Sequence, residues 1–287
     1  DGNYPVGTNN VALGDTALDS LSSGTNNTAL GSAALTTTSS GSNNVAVGFN
    51  ALTANTTAGY NVAFGTNTLA GNTTGSENAV FGGAAALANT TGTGLTGAGY
   101  TALRFNTTGN YNTALGDAAL YSNTTASNNT ALGANTTGTQ NVAVGAYALD
   151  ANISSNNSTA IGYSALSLNT GASNTAVGSQ AMLDNTSGIN NTAIGVNSLT
   201  NNTTASFNIA LGGSSLQANT TGASNTAVGY TALTANTTAS NNTAVGYRSL
   251  LANTTASNNT AVGYQAGYSN TTGAQITAVG QSALKLN

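Results

Sequence analysis

A unit of about 17 residues repeats along almost the whole chain. Its clearest copy reads NNTAVGYRSLLANTTAS and spans Asn241–Ser257. One glycine of the unit, here called the marker glycine, recurs from Gly14 to Gly280. Nearly all steps between successive marker glycines have the same length, as from Gly229 to Gly246, and only those from Gly133 to Gly145 and from Gly162 to Gly178 are shorter. A fixed period of this size predicts a stacked array of identical units.

The residues before each marker glycine are typical of a short β-strand. The residue just before it is apolar in nearly every copy, as in Val47 and Ile194, and the residue two positions earlier is mostly β-branched, as in Val45 and Thr192. Because side chains alternate along a strand, these two positions share one face. β-branched residues favour extended structure, so we expect this face to point into the core.

The residue between them is nearly always Ala, and we call it the central Ala. Alternation places it on the opposite face from Val and Thr. A solvated face would tolerate larger polar residues, so uniform Ala indicates close packing against another chain, although recent duplication could also preserve it. The packing-interface candidates are Ala12, Ala46, Ala114, Ala176, Ala227, Ala244 and Ala261.

The second half of the unit contains an Ala-Leu pair and then Asn-Thr-Thr. The Leu predicts a second core contact on a second short strand, and Gly and Asn suit the corners because both accept left-handed backbone angles. Asn also recurs at two fixed positions, four residues before and seven residues after the marker glycine, where stacked side chains can form hydrogen-bonded ladders. The candidates for an Asn ladder, or for glycan attachment at Asn-x-Thr triplets, are Asn55, Asn72, Asn106, Asn219, Asn236, Asn241, Asn253 and Asn270.

These patterns predict an all-β fold, a single-chain parallel β-solenoid or β-roll of about 17 coils packed against other copies, with one repeat in each coil. Asn, Thr and Gly are weak helix formers and no helical period is present. We expect an N-terminal segment over residues 1–10 and a repeat domain over residues 11–287. The shortened repeat at residues 133–145 lacks the Leu position and predicts a local bulge, kink or shortened loop.

The Asn-x-x-Ala-apolar-Gly rhythm resembles the head repeats of trimeric autotransporter adhesins and similar repeats in phage tail fibres. The resemblance covers Asn9 to Leu284 and implies a left-handed β-roll with three chains side by side. The period of this chain is longer than is usual for these heads, and no neck, stalk or membrane anchor is visible in this sequence.

Charged residues make up only 3% of the chain, with three basic residues, seven acidic residues and no His or Cys. So few cations argue against nucleic-acid binding. Isolated carboxylates without His or Cys provide no metal centre or catalytic triad, so we expect a protein that is not an enzyme and has no cofactor. No apolar run is long enough to span a bilayer.

The leading functional hypothesis is a structural or adhesive component of an extracellular fibre or surface filament that assembles with copies of itself. The alternatives are a phage tail-fibre shaft and an ice-binding solenoid whose Asn-Thr-Thr segments form ranks of Thr. The expected location is extracellular, at the cell surface, or on a virion fibre. The many Asn-x-Thr triplets make glycans a further candidate partner, and the alternative is that Asn and Thr are abundant there as turn and ladder residues.

Overall fold

The computed structural model describes residues 7–133, 138–150 and 155–286, and every regular element within them is a short β-strand. Each repeat contributes one strand, which consists of the central Ala and its two neighbours. The chain divides into two compact units, Asp1–Asn141 and Val142–Asn287. No described segment is a helix that could span a membrane.

The first unit contains β1 to β8, which are Val11–Leu13, Thr28–Leu30, Val45–Val47, Val62–Phe64, Ala79–Phe81, Thr96–Ala98, Thr113–Leu115 and Thr130–Leu132. The second unit contains β9 to β17, which are Val142–Val144, Thr159–Ile161, Thr175–Val177, Thr192–Ile194, Ile209–Leu211, Thr226–Val228, Thr243–Val245, Thr260–Val262 and Thr277–Val279. Within each unit, successive strands pair in parallel.

The register places equivalent residues of neighbouring coils directly over one another. Thr226 pairs with Thr243, Ala227 with Ala244, and the same alignment continues into the next coil. Strand neighbours in a sheet lie about 4.8 Å apart, so each coil adds one layer to the stack. The predicted all-β parallel solenoid with one repeat in each coil is confirmed in each unit.

The Ala-Leu segment is not a second strand, and that part of the prediction is wrong. Leu233 has a φ of 52° and Thr231 a φ of 55°, both left-handed, which is uncommon outside glycine. The backbone N–H of Thr231 donates to Gly213 in the preceding coil, whereas that of Leu233 donates to Ser249 in the following coil. Because the hydrogen bonds run in both directions along the stack, the neighbouring coils hold Leu in a conformation it would otherwise avoid.

The apolar core of each unit is narrow and consists almost entirely of Ala and Leu. In the second unit Ala227, Ala232 and Leu233 are fully buried, and the first unit repeats the pattern with Ala46, Ala51 and Leu52. Leu therefore makes the core contact that the sequence predicts.

The shorter step from Gly162 to Gly178 leaves the strand register intact, since Thr159 pairs with Thr175. This repeat is one residue shorter than the others, and the difference lies in the turn that begins at Asn169. Asn169 Nδ2 reaches the carbonyl of Gly171 two residues later (2.8 Å), whereas Asn185 Nδ2 reaches that of Gly188 three residues later (3.0 Å).

The shortest step, from Gly133 to Gly145, also restores the stacking of equivalent residues at its end. The backbone N–H of Asn141 donates to Asn129 Oδ1 (3.1 Å), and that of Thr130 donates to the carbonyl of Asn141 (2.9 Å). A bulge, kink or shortened loop is predicted for this repeat, and its residues 134–137 lie outside the described residues. At the other end of this unit, Asn10 already donates to the carbonyl of Gly24, so the stacking begins inside the predicted N-terminal segment.

Candidate functional site

The Asn that lies seven residues after the marker glycine forms a ladder inside the coils, here called the inner Asn row. Asn236 Nδ2 donates to Asn219 Oδ1 (2.9 Å) and to the carbonyl of Ala239 (3.0 Å). Asn253 Nδ2 makes the same two bonds to Asn236 and Ala256 (3.2 and 3.0 Å). These side chains are fully buried, and each amide is satisfied by the coils on either side. The ladder is confirmed at Asn55, Asn72, Asn106, Asn219, Asn236, Asn253 and Asn270.

A second Asn row lies four residues before the marker glycine and holds the strand in place. The side-chain Oδ1 of Asn225 accepts the backbone N–H of Asn242 in the next coil (2.9 Å), while its Nδ2 donates to the carbonyl of Ala239 (2.8 Å). Leu95 occupies this position in one coil, where its N–H still donates to Asn78 Oδ1 (2.8 Å). Both Asn rows therefore have a structural role, because they hold neighbouring coils together.

The central Ala points into the coil, and the prediction that it faces another chain is wrong. Ala46, Ala114, Ala176, Ala227, Ala244 and Ala261 are fully buried, and Ala12 packs against the core of the first unit. The physical reason is the narrow interior, where the Leu of each coil lies opposite the strand. A Cβ added at Gly97 would lie 3.4 Å from Leu103 Cδ1, which leaves room for a methyl group and little more.

The two departures from Ala compensate for each other in neighbouring coils. Val80 and Gly97 are paired across β5 and β6, and Val80 is fully buried. A Cβ added at Gly97 would meet Val80 Cγ1 at 3.2 Å, closer than ordinary contact. The extra methyl groups of Val80 therefore fill space that Gly97 leaves empty, as expected for a close-packed interior.

The residues on either side of the central Ala form a solvent-facing surface that is half-buried to exposed, here called the outer sheet face. It carries one row of mostly Thr or Val and one row of Val, Leu, Ile or Phe. In interior strands Phe64 is 51% and Leu115 39% exposed, whereas Val245 is half-buried. None of the residues in these strands is charged. The uniform size of the central Ala was the signal for the interior, and the variety of the flanking positions was the signal for this surface.

An aromatic row follows the marker glycine on the edge of the outer sheet face. Tyr230, Tyr247 and Tyr264 stack on one another, with ring centroids 6.1 and 5.3 Å apart and ring planes within 14°. The guanidinium of Arg248 lies over the Tyr247 ring at 5.1 Å. This row extends the apolar character of the outer sheet face in these three coils.

Asn241 does not belong to the inner Asn row, so its prediction as a ladder residue is wrong. It lies five residues before the marker glycine, is exposed, and has a left-handed φ of 60°. The other seven candidates for the ladder or for glycans are buried in the ladder. The structure thus distinguishes buried ladder Asn residues from the exposed Asn241, although the sequence analysis placed them in one group.

Among the described residues, no three His, Cys, Asp or Glu side chains come together as a possible metal site. No protein-family model matches the chain, and the search of curated proteins returns no match. The candidate functional site is therefore the outer sheet face with the exposed rows at its borders.

Proposed function

We propose that this protein is a structural component of an extracellular fibre or surface filament and that its copies associate through the outer sheet face. The observation that carries the proposal is the pair of solvent-facing, uncharged rows, half-buried to exposed, that continues from strand to strand in each unit. Monomeric proteins rarely leave large continuous apolar patches exposed, and such patches commonly mark interaction surfaces.

A second copy of the same chain is the occupant that fits this face best. Two copies present identical rows with the same interval between coils, so side chains that interdigitate at one coil also interdigitate at the next. A self-complementary surface of this kind is typical of homo-oligomers. The absence of charge on the strands removes the desolvation cost that buried ions would impose on the interface.

An exposed fibre in the extracellular space must also resist proteolysis. The chain has only three Lys and Arg residues in total, so trypsin-like proteases find few cleavage sites. The backbone of each coil is hydrogen-bonded to its neighbours, which protects it from local opening. Both features support the proposed extracellular location.

Placing charges on the outer sheet face tests this proposal. The test variant carries V228K, V245K and V262K, and the matched control carries T221K, T238K and T255K, three exposed positions in the Asn-Thr-Thr turns of three successive coils. We expect light scattering and electron microscopy to show oligomers or filaments for the wild type and the control, and their loss in the test variant. A wild-type chain that stays monomeric at all concentrations would contradict the proposal.

Ice binding is the second candidate, because the structure provides a more regular rank of Thr than the Asn-Thr-Thr segments do. Thr159, Thr175 and Thr192 are in register on the outer sheet face of the second unit, and Thr226, Thr243, Thr260 and Thr277 continue the pattern after Ile209. In the Asn-Thr-Thr turn, by contrast, the first Thr hydroxyl is occupied by a backbone carbonyl, as in Thr237 to Thr254 (3.2 Å).

Thermal hysteresis measured at micromolar protein separates the two candidates. Ice binding predicts a measurable freezing-point gap that the V228K, V245K and V262K variant loses. No hysteresis, together with self-association of the wild type, removes ice binding and leaves the fibre proposal.

A further inference from the structure

Most Asn-x-Ser/Thr triplets of the described residues fall into two structural classes. One class belongs to the inner Asn row and is buried, as in Asn236-Thr237-Thr238. The other class begins five residues before the marker glycine and is exposed, and we call it the outer Asn row. Its members are Asn26, Asn128, Asn157, Asn190, Asn241 and Asn258.

The Asn side chains of the inner Asn row cannot carry a sugar in the folded protein. Asn236 Nδ2 uses both of its hydrogens, one toward Asn219 Oδ1 and one toward the carbonyl of Ala239. A sugar on this nitrogen would remove one donor and would need space inside a fully buried layer. Its triplets are therefore closed to modification once the coil has formed.

The outer Asn row has the opposite properties. In Asn241-Asn242-Thr243 the middle Asn is buried, whereas Asn241 is exposed and Thr243 lies on the outer sheet face. The acceptor amide and the hydroxyl of the triplet are thus both available from the solvent side. In the first unit, Asn26 Nδ2 makes exposed bonds to Thr25 Oγ1 (3.5 Å) and Asn43 Oδ1 (3.3 Å), and a glycosylated amide keeps one N–H that could still donate.

We propose that the outer Asn row is the site of N-linked glycosylation and that the sugar is added to the folded chain. The reagent would be a sugar activated by a nucleoside or lipid diphosphate. Asn Nδ2 forms a bond to the anomeric carbon, the carbon–oxygen bond to the diphosphate breaks, and one amide proton passes to a base of the transferase. This inference rests on the extracellular location in the proposed function, since the sugar-bearing Asn must be exposed and secreted.

The sugars would occupy one corner of the coils, beside the outer sheet face. Each acceptor lies two residues before the first strand residue, so a glycan would border that face without replacing any side chain on it. The nearly uncharged surface would gain hydrated groups that oppose non-specific aggregation.

The chain contains its own control positions. Asn9 and Asn43 occupy the same place in their coils as Asn241, and their φ values are left-handed, at 61° and 60°. They precede Val11 and Val45, so neither belongs to a triplet with Ser or Thr. They must stay unmodified if the triplet directs the sugar, and V45T should convert Asn43 into a new acceptor.

Intact mass and peptide mapping of the protein from its native cells test the proposal. We expect a mass above the 27.8 kDa of the bare chain. The sugars should lie on the outer Asn row, with none on the inner Asn row or on Asn9 and Asn43, and with one added site in V45T. An unmodified mass, or sugars on the inner Asn row, would overturn the proposal. Electron microscopy of the same sample keeps the two proposals apart, because unmodified filaments contradict only the glycosylation, and modified monomers contradict only the fibre.

Discussion

The two sides of each strand follow different rules, although the residues are direct neighbours in sequence. The inward side carries Ala in every strand but two, and the exceptions, Val80 and Gly97, compensate for each other. The outward row before the marker glycine contains Leu, Val, Phe, Ile and Ala. Inside a coil this narrow, side-chain size is restricted, whereas on the outside it can vary. A strand position that keeps one residue type in nearly every repeat therefore identifies the interior better than hydrophobicity does.

The sharpest way to test the inward side is to remove one amide of the inner Asn row. N236A takes away the donor to Asn219 Oδ1 and Ala239 and the acceptor for Asn253 Nδ2. Since each buried group left unpaired costs roughly 1–3 kcal/mol, we expect the free energy of unfolding to fall by about 3 kcal/mol or more. Urea unfolding followed by circular dichroism measures this change.

The control for that experiment is T238A, an exposed residue two positions along the same turn. It should change the free energy of unfolding by no more than about 0.5 kcal/mol. Equal effects of N236A and T238A would show that the ladder contributes nothing to stability.

The marker glycine provides the next largest effect. Gly229 has a φ of 135°, and an added Cβ would lie 2.5 Å from the carbonyl oxygen of Gly246 in the next coil. We expect G229A to lose about 1–3 kcal/mol of stability to backbone strain and a further amount to the clash. The matched variant G280A has a φ of 118° but no atom within 4 Å of the added Cβ, so it should lose only the strain contribution. Indistinguishable urea midpoints for the two variants would exclude a role for the clash.

Adjacent substitutions compare the two sides of one strand directly. A244L forces three extra carbons into the buried side and should reduce the free energy of unfolding by about 1–3 kcal/mol. V245L lies on the outer sheet face and should change it by less than about 0.5 kcal/mol. If V245L were the more damaging variant, the assignment of inside and outside would be wrong.

The smallest expected effect concerns the Val80–Gly97 pair. V80A removes two buried methyl groups and should cost roughly 2 kcal/mol, because Gly97 leaves the space unfilled. In the double variant V80A/G97A both coils carry the usual Ala, so stability should recover by about 1 kcal/mol relative to V80A. Additive changes in this double-mutant cycle would show that the two residues do not compensate.

The repeat period, the all-β class, the Leu contact and the inner Asn row could be predicted because each depends on a pattern copied many times. The side of the central Ala was predicted wrongly, because alternation groups Val with Thr without stating which face is inside, and the uniform Ala was interpreted as an interface between chains. The left-handed backbone conformation of Leu233 could not be predicted either, because Leu has no preference for left-handed φ and ψ angles. The division between Asn236 and Asn241 required the register of the coils, since the two triplets share the same Asn-x-Thr pattern.

The turn at Asn169-Thr170-Gly171, which is one residue shorter than its neighbours, shows where this chain can change length without shifting the strands. Such a turn is a natural place for inserting foreign peptides, because the strand register before and after it is unaffected. A tag or binding sequence inserted after the buried Asn of any coil would be displayed at a chosen level of the stack. Equivalent turns of successive coils would thus provide regularly spaced sites for presenting epitopes or enzymes.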